Sequence, residues 1–207
     1  MRALIRSGRV TALLLVLIVL GAILLIGLAP TERTLGEGIR VVYLHVALIW
    51  TGMLGIVLAG VLALPVLLTG RETLARWMET VAWVALGFYA LSGVISLVAQ
   101  QVNWGGIAWQ EPRTSTMLQL LAFFLIVQVV KSWFIPPGAR AIHLKAGLNI
   151  LMAAVLLWSN WATPLQLHPQ DPIGTSSSPG IRLTFYLLFG LLALAATWLV
   201  LYFRARD

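Results

Sequence analysis

The sequence predicts an all-α polytopic membrane protein with six transmembrane helices, and three observations carry that prediction. Of its 207 residues 60% are hydrophobic and only 10% charged, which exceeds the apolar fraction of a soluble globule. The apolar residues form unbroken runs of about 20, the length a helix needs to cross roughly 30 Å of hydrocarbon, where only helices or closed barrels satisfy the backbone. Runs rather than alternation argue against the barrel. Lysine and arginine also divide unevenly between the two sides that such a chain defines. A single integral membrane domain, residues 1–207, is expected.

The first helix, about 10–29, follows Arg2, Arg6 and Arg9. Its apolar core is longer than the roughly 7–15 residues of a secretory signal, so it reads as a retained helix. After a polar turn with Pro30, Glu32, Arg33, Glu37 and Arg40, the second helix, about 41–68, carries His45 near its start and Pro65 near its end. Gly52, Gly55, Ala59 and Ala63 allow close helix approach; Gly52, two turns beyond His45, would also leave room for a bulky ring. The third helix, about 80–99, leads into Trp104–Thr116, WGGIAWQEPRTST. The fourth, about 116–135, stops at Pro136-Pro137-Gly138, because prolines lack the N–H that continuation requires. The fifth spans about 141–159 and the sixth about 182–203. Between them lies a proline-rich connection that holds Asn160, Trp161 and His168.

A cytoplasmic N-terminus puts Arg2, Arg6, Arg9, Arg71, Arg76, Lys131, Arg140, Lys145, Arg204 and Arg206, ten of the 14 cationic residues, on one side. Arg33, Arg40, Arg113 and Arg182, the other four, fall opposite. The positive-inside rule then makes both termini cytoplasmic and turns the tryptophan loop between helices three and four outward. The net charge of +7 answers to this orientation rather than to nucleic acid.

Several chemistries are excluded. The absence of cysteine removes disulfides, thiolate metal sites and covalent C-x-x-C-H haem attachment. The sequence has no G-x-x-x-x-G-K-[ST], H-E-x-x-H or G-x-S-x-G pattern, and the six predicted spans hold no Asp or Glu, against a proton-coupled pump. No enzyme is expected.

His45 lies about four residues inside its helix, about 6 Å below the outer boundary. Ionisable groups inside a span are costly and lean functional, though an interfacial histidine bonded to a neighbouring helix is an equal reading. His168 belongs to the same outer face, and two imidazoles there suit the axial positions of a haem iron. Trp77, Trp83, Trp133 and Trp198 read as interfacial belt residues. Trp104, Trp109, Trp158 and Trp161 gather on two outer loops or their flanks. Arg113, Arg40 and Arg182 each precede a helix and could pair with carboxylates such as propionates; for Arg40 and Arg182 interfacial anchoring is preferred. The Trp104–Thr116 stretch, with its two aromatic planes, the Gly105-Gly106 pair and Glu111-Pro112-Arg113, suits a flat, apolar, anionic ligand.

With these residues in hand, the chain resembles the haem exporter protein C (CcmC) family, whose tryptophan-rich WWD domain handles haem in cytochrome c maturation. VVYLHVALIW is similar to that family's first-histidine segment, LLWSNWATPLQLHP to its second, and WGGIAWQEPRTST to its loop. Where the family usually has further tryptophans and an aspartate, this loop has Ile107, Ala108 and Glu111. The resemblance implies non-covalent haem b with His45 and His168 as iron ligands, and with Trp104, Gly105, Trp109, Glu111, Pro112, Arg113 and Trp161 as haem contacts. It further implies transfer to the haem chaperone CcmE within an ABC-type complex of CcmA, CcmB and the small subunit CcmD, at the periplasmic face of the inner membrane. Rival readings are a b-type haem electron-transfer subunit working with quinol and a cofactor-free transporter or assembly subunit.

Overall fold

A computed structural model describes residues 2–164, 166–167, 173 and 176–206. Among these the regular structure is helical: α1 (Arg2–Arg6), α2 (Gly8–Gly27), α3 (Ile39–Thr69), α4 (Glu72–Trp104), α5 (Pro112–Val129), α6 (Ala139–Ala162) and α7 (Pro179–Arg206). A single π-helical turn, Val130–Phe134, extends α5. Six of these elements, α2 to α7 with α5 counted through Phe134, are long and apolar enough to cross a membrane.

The apolar runs locate the helices, but their ends lie elsewhere than hydropathy alone places them. The third span begins at Glu72 rather than near 80 and continues through Trp104 rather than stopping near 99. Glu72, Arg76 and Glu79 lower the hydropathy of its first turns without interrupting the helix, and no glycine or proline intervenes after Gly93 until Gly105 ends it in the left-handed conformation, φ +73°. The fourth starts at Pro112, not 116, and the sixth at Pro179, not 182; proline fits the first helical turn, where its missing N–H has no partner to lose. Pro65 lies inside α3, which runs on to Thr69, since near a helix end it deletes only one ladder bond.

The centre of the bundle is α3, which packs along α4 and is flanked by α6 and α7. Small residues make that packing possible. A Cβ on Gly52 would lie 2.7 Å from Tyr89 N, and one on Gly60 2.5 Å from Ala153 Cβ. Of the two sequence-level roles for Gly52, the contact with α4 is the one its position serves. Gly52→Ala is therefore expected to push α3 off α4 and destabilise the fold by about 1–3 kcal/mol, measured by unfolding in detergent.

Three of the four buried clusters among the described residues succeed one another along the bundle. Ile39, Tyr43, Phe185 and Leu188 pack at one end, Ile56, Tyr89, Phe124, Met152 and Leu156 in the middle, and Ala63, Val66, Met78 and Ala146 at the other end. Leu13, Leu17, Leu20 and Leu24 of the peripheral helix α2 stay exposed, as hydrocarbon-facing positions do. The start of α3, the end of α4, the start of α5, the end of α6 and the start of α7 share one end of the bundle, as the chain order of antiparallel spans requires.

Two sequence expectations change here. The extension of α4 carries Glu79 into the third span, so the spans are not free of carboxylates. Its partner is Lys131, which is fully buried and lies 3.1 Å from it. Lys131 thus leaves the tally of interfacial charges, and the imbalance becomes nine against four.

Candidate functional site

At the bundle end that gathers the start of α3 and the end of α4, the helices part around a cavity of about 620 Å³ lined mainly by apolar side chains. Its depth is formed by Met53, Tyr89, Met117, Leu120 and Leu156, and its rim by Gln100, Asn103, Trp104, Arg113, Asn160 and Thr163. His45 and Trp50 of α3 line one wall. Among the described lining residues Arg113 carries the one permanent charge, so the cavity is apolar with a single positive edge.

His45 is held by α4. Its Nδ1 lies 3.2 Å from the Ser92 carbonyl oxygen. A carbonyl only accepts, so Nδ1 carries a hydrogen, and in the neutral imidazole the lone pair is then on Nε2, the tautomer in which an imidazole can serve as a ligand. Ser92 is buried, and its hydroxyl donates to the Tyr89 carbonyl at 2.8 Å.

The rim is tied together by polar side chains from separate helices. Gln100, itself buried, donates from Nε2 to Thr114 Oγ1 at 3.0 Å and accepts from the Ala108 N–H at 3.0 Å, which joins the end of α4 to the loop and to the start of α5. Arg113 Nη1 donates to Asn160 Oδ1 at 3.2 Å, and Thr116 and Thr163 pair at 3.1 Å, linking α5 to α6. The Nε of Arg113 is buried with no hydrogen-bond partner among the described residues. An orphaned guanidinium donor at an apolar cavity suits an anionic ligand group. Across the rim, Asn103 donates to Gly38 O at 3.2 Å.

Leu35, at the same rim, hangs on the turn before α3. Glu32 accepts there from the N–H groups of Leu35 at 2.9 Å and Thr34 at 2.7 Å. These two bonds, Leu35's first, hold the exposed carboxyl below its ordinary range. The turn they support is complete above the ordinary glutamate range and is lost only as pH falls through the lowered value.

The sequence-predicted residues divide into those the cavity gathers and those it does not. His45, Trp104 and Arg113 line it together. Trp104 does so as the last residue of α4, not as part of a loop. Gly105 provides the left-handed helix end, and Pro112 is the first residue of α5. Glu111 is buried as the N-cap of α5, its Oε2 accepting from Thr114 N at 2.8 Å. Trp109 and Trp161 are 60% and 78% exposed and line no part of the cavity; Trp161 instead packs on Trp158, centroids 5.3 Å apart. Arg40 pairs with Glu37 at 2.9 Å, a surface contact of small energy. His143 approaches Leu67 O at 3.1 Å near the opposite end of α3. His168 lies outside the described residues.

Gln100, Asn103, Asn160 and Trp50 belong to the cavity without having been singled out in the sequence. Amides in the last turns of apolar helices were the available signal, since such groups find partners inside the protein or line a polar site. Glu111→Ala removes the cap of α5 and is expected to cost about 1 kcal/mol. The measurement is a denaturation midpoint alongside wild type.

No family model and no curated protein matches this chain.

Proposed function

We propose that the chain binds haem non-covalently in this cavity and presents it to a membrane-anchored chaperone of the CcmE kind during cytochrome c maturation. It does so as the CcmC-type subunit of an ABC-type complex in the cytoplasmic membrane, with CcmA, CcmB and CcmD as companions. The observation that carries the reading is the convergence of His45, Trp104 and Arg113 on one largely apolar cavity. Its volume falls within the roughly 300–1,000 Å³ typical of small-molecule sites.

Each residue has a role that its surroundings fit. His45, its proton held on Nδ1 by the Ser92 carbonyl, offers Nε2 to the iron. Trp104 supplies an aromatic plane at the rim, and Arg113 pairs through its buried Nε with a propionate. Haem brings the iron porphyrin that the acceptor cytochrome uses; this subunit breaks no bond in it. His168 is assigned as the second, releasable imidazole from the connection between α6 and α7. Trp109 and Trp161, exposed beyond the cavity, make contact at its mouth as haem leaves. The charge imbalance of the loops supports an orientation with this end of the bundle on the periplasmic side.

The test is absorbance of the chain purified from haem-replete cells. Wild type is expected to carry a Soret band, and Arg113→Gln to lower haem occupancy about tenfold, the scale of one lost charge-assisted contact. Haem-free wild type would contradict the proposal.

A further inference from the structure

Most polar side chains on the cavity rim spend their hydrogens on the protein itself. Three carboxamides line it, Gln100, Asn103 and Asn160. Gln100 gives both N–H groups of Nε2 away, to Thr114 Oγ1 at 3.0 Å and to Ser96 Oγ at 3.5 Å. Asn103 gives both of its own to Ala99 O at 2.9 Å and Gly38 O at 3.2 Å. The threonines between α5 and α6 are committed as well. Thr163 donates to Ser159 O at 2.6 Å, so in its contact with Thr116 it is Thr116 that donates.

Asn160 differs. A guanidinium has no acceptor, so the carboxamide can meet Arg113 Nη1 only through its oxygen, and that 3.2 Å contact fixes which end of the amide faces α5. The amide nitrogen is left with no acceptor among the described residues. Arg113 adds its buried Nε, likewise without an acceptor among them. Two unspent donors therefore lie on side chains that are already hydrogen-bonded to each other, one from the start of α5 and one from the end of α6, and both side chains line the cavity. A carboxylate, which offers two oxygens and no hydrogen, is the group that completes such a pair.

We propose that Asn160 is a specificity-determining residue of the cavity, its Nδ2 donating together with Arg113 Nε to one carboxylate of the ligand. The inference rests on the haem reading above, under which that carboxylate is a propionate. The pair makes the site select a free acid and not merely a flat apolar ring. A methyl ester keeps the ring but is uncharged and capped on one oxygen, so it engages the two donors poorly.

The experiment titrates iron(III) protoporphyrin IX and its dimethyl ester into the full chain in phosphatidylcholine nanodiscs, followed at the Soret band against empty discs. The readout is the ratio of the two affinities, because a general loosening of the cavity weakens both porphyrins alike. Wild type is expected to favour the acid by at least about a hundredfold, two charge-assisted contacts at roughly tenfold each. Asn160→Leu, similar in volume, is expected to cut that preference about tenfold. It is expected to cut it in an Arg113→Met background too, where an amide that served only to position the guanidinium would have no effect. Asn160→Asp keeps an oxygen for Arg113 but sets a second carboxylate beside the ligand's, and is expected to lower the preference further than Asn160→Leu. Saturable binding of acid and ester with equal affinity overturns the proposal while the haem reading stands. An Asn160→Leu ratio equal to wild type, or an effect that disappears with Arg113, does the same. No saturable binding of either porphyrin overturns both.

Discussion

Replacing His45 with glycine is expected to lower haem affinity by more than about a hundredfold, and added imidazole is expected to restore the absorption spectrum. Loss of a hydrogen-bonded partner behind a ligand is already worth about 10–100-fold at metal sites, and removal of the ligand itself should exceed that. Glycine leaves a gap on the cavity wall, next to Val46 and Ile49, that a free imidazole can occupy. Recovery with imidazole but not with an equal concentration of an aliphatic alcohol separates coordination from simple packing. A variant that keeps its wild-type affinity removes His45 from the ligand set.

The second large effect concerns stability at the other end of the bundle. Lys131, on the π-helical turn after α5, has its ammonium 3.1 Å from Glu79 of α4 and 2.9 Å from Asn149 Oδ1 of α6, with Gln128 Oε1 as a third acceptor. Asn149 Nδ2 donates to Glu79 at 2.9 Å and to Lys145 O at 2.9 Å, so three helices meet in one polar knot. Glu79→Ala leaves the ammonium buried without its counter-charge and is expected to destabilise the protein by about 3–5 kcal/mol. Removing both charges, Glu79→Leu with Lys131→Met, is expected to recover at least half of that, because apolar replacements of a whole buried pair are close to neutral. The readout is unfolding in detergent for Glu79→Ala, for the singles Glu79→Leu and Lys131→Met, and for their double. Additive losses would show that no specific pairing exists.

How far the sequence foretold this arrangement depends on the separation of the partners. The spans were legible because an apolar run of about 20 residues leaves a chain few alternatives. Their ends were not, since hydropathy counts Glu72, Arg76 and Glu79 against a helix that no backbone feature interrupts there. His45 stood out because an imidazole inside a span is rare. The Lys131 knot did not, because its members lie 52 and 70 positions apart, Glu79 to Lys131 and Glu79 to Asn149, and meet only through tertiary packing.

The tryptophans teach the same lesson at shorter range. Trp104 and Trp109 are five positions apart and look equivalent as sequence. The left-handed turn at Gly105 separates them: Trp104, still helical, lines the cavity, while Trp109, beyond the turn, is exposed. Glu111, read from the sequence as part of a ligand surface, also caps α5. Its sequence context, an acid directly before a proline that begins a helix, already contained that cue.

The most direct test is a titration of haem into the purified full chain, followed at the Soret band with phosphatidylcholine nanodiscs lacking protein as the blank. Saturation at one haem per chain, with the spectrum of an imidazole-ligated iron that weakens in His45→Gly and Arg113→Gln, is the expected result. Uptake that rises without saturation, matches the empty discs and ignores both substitutions would contradict a haem site built from residues 45, 104 and 113.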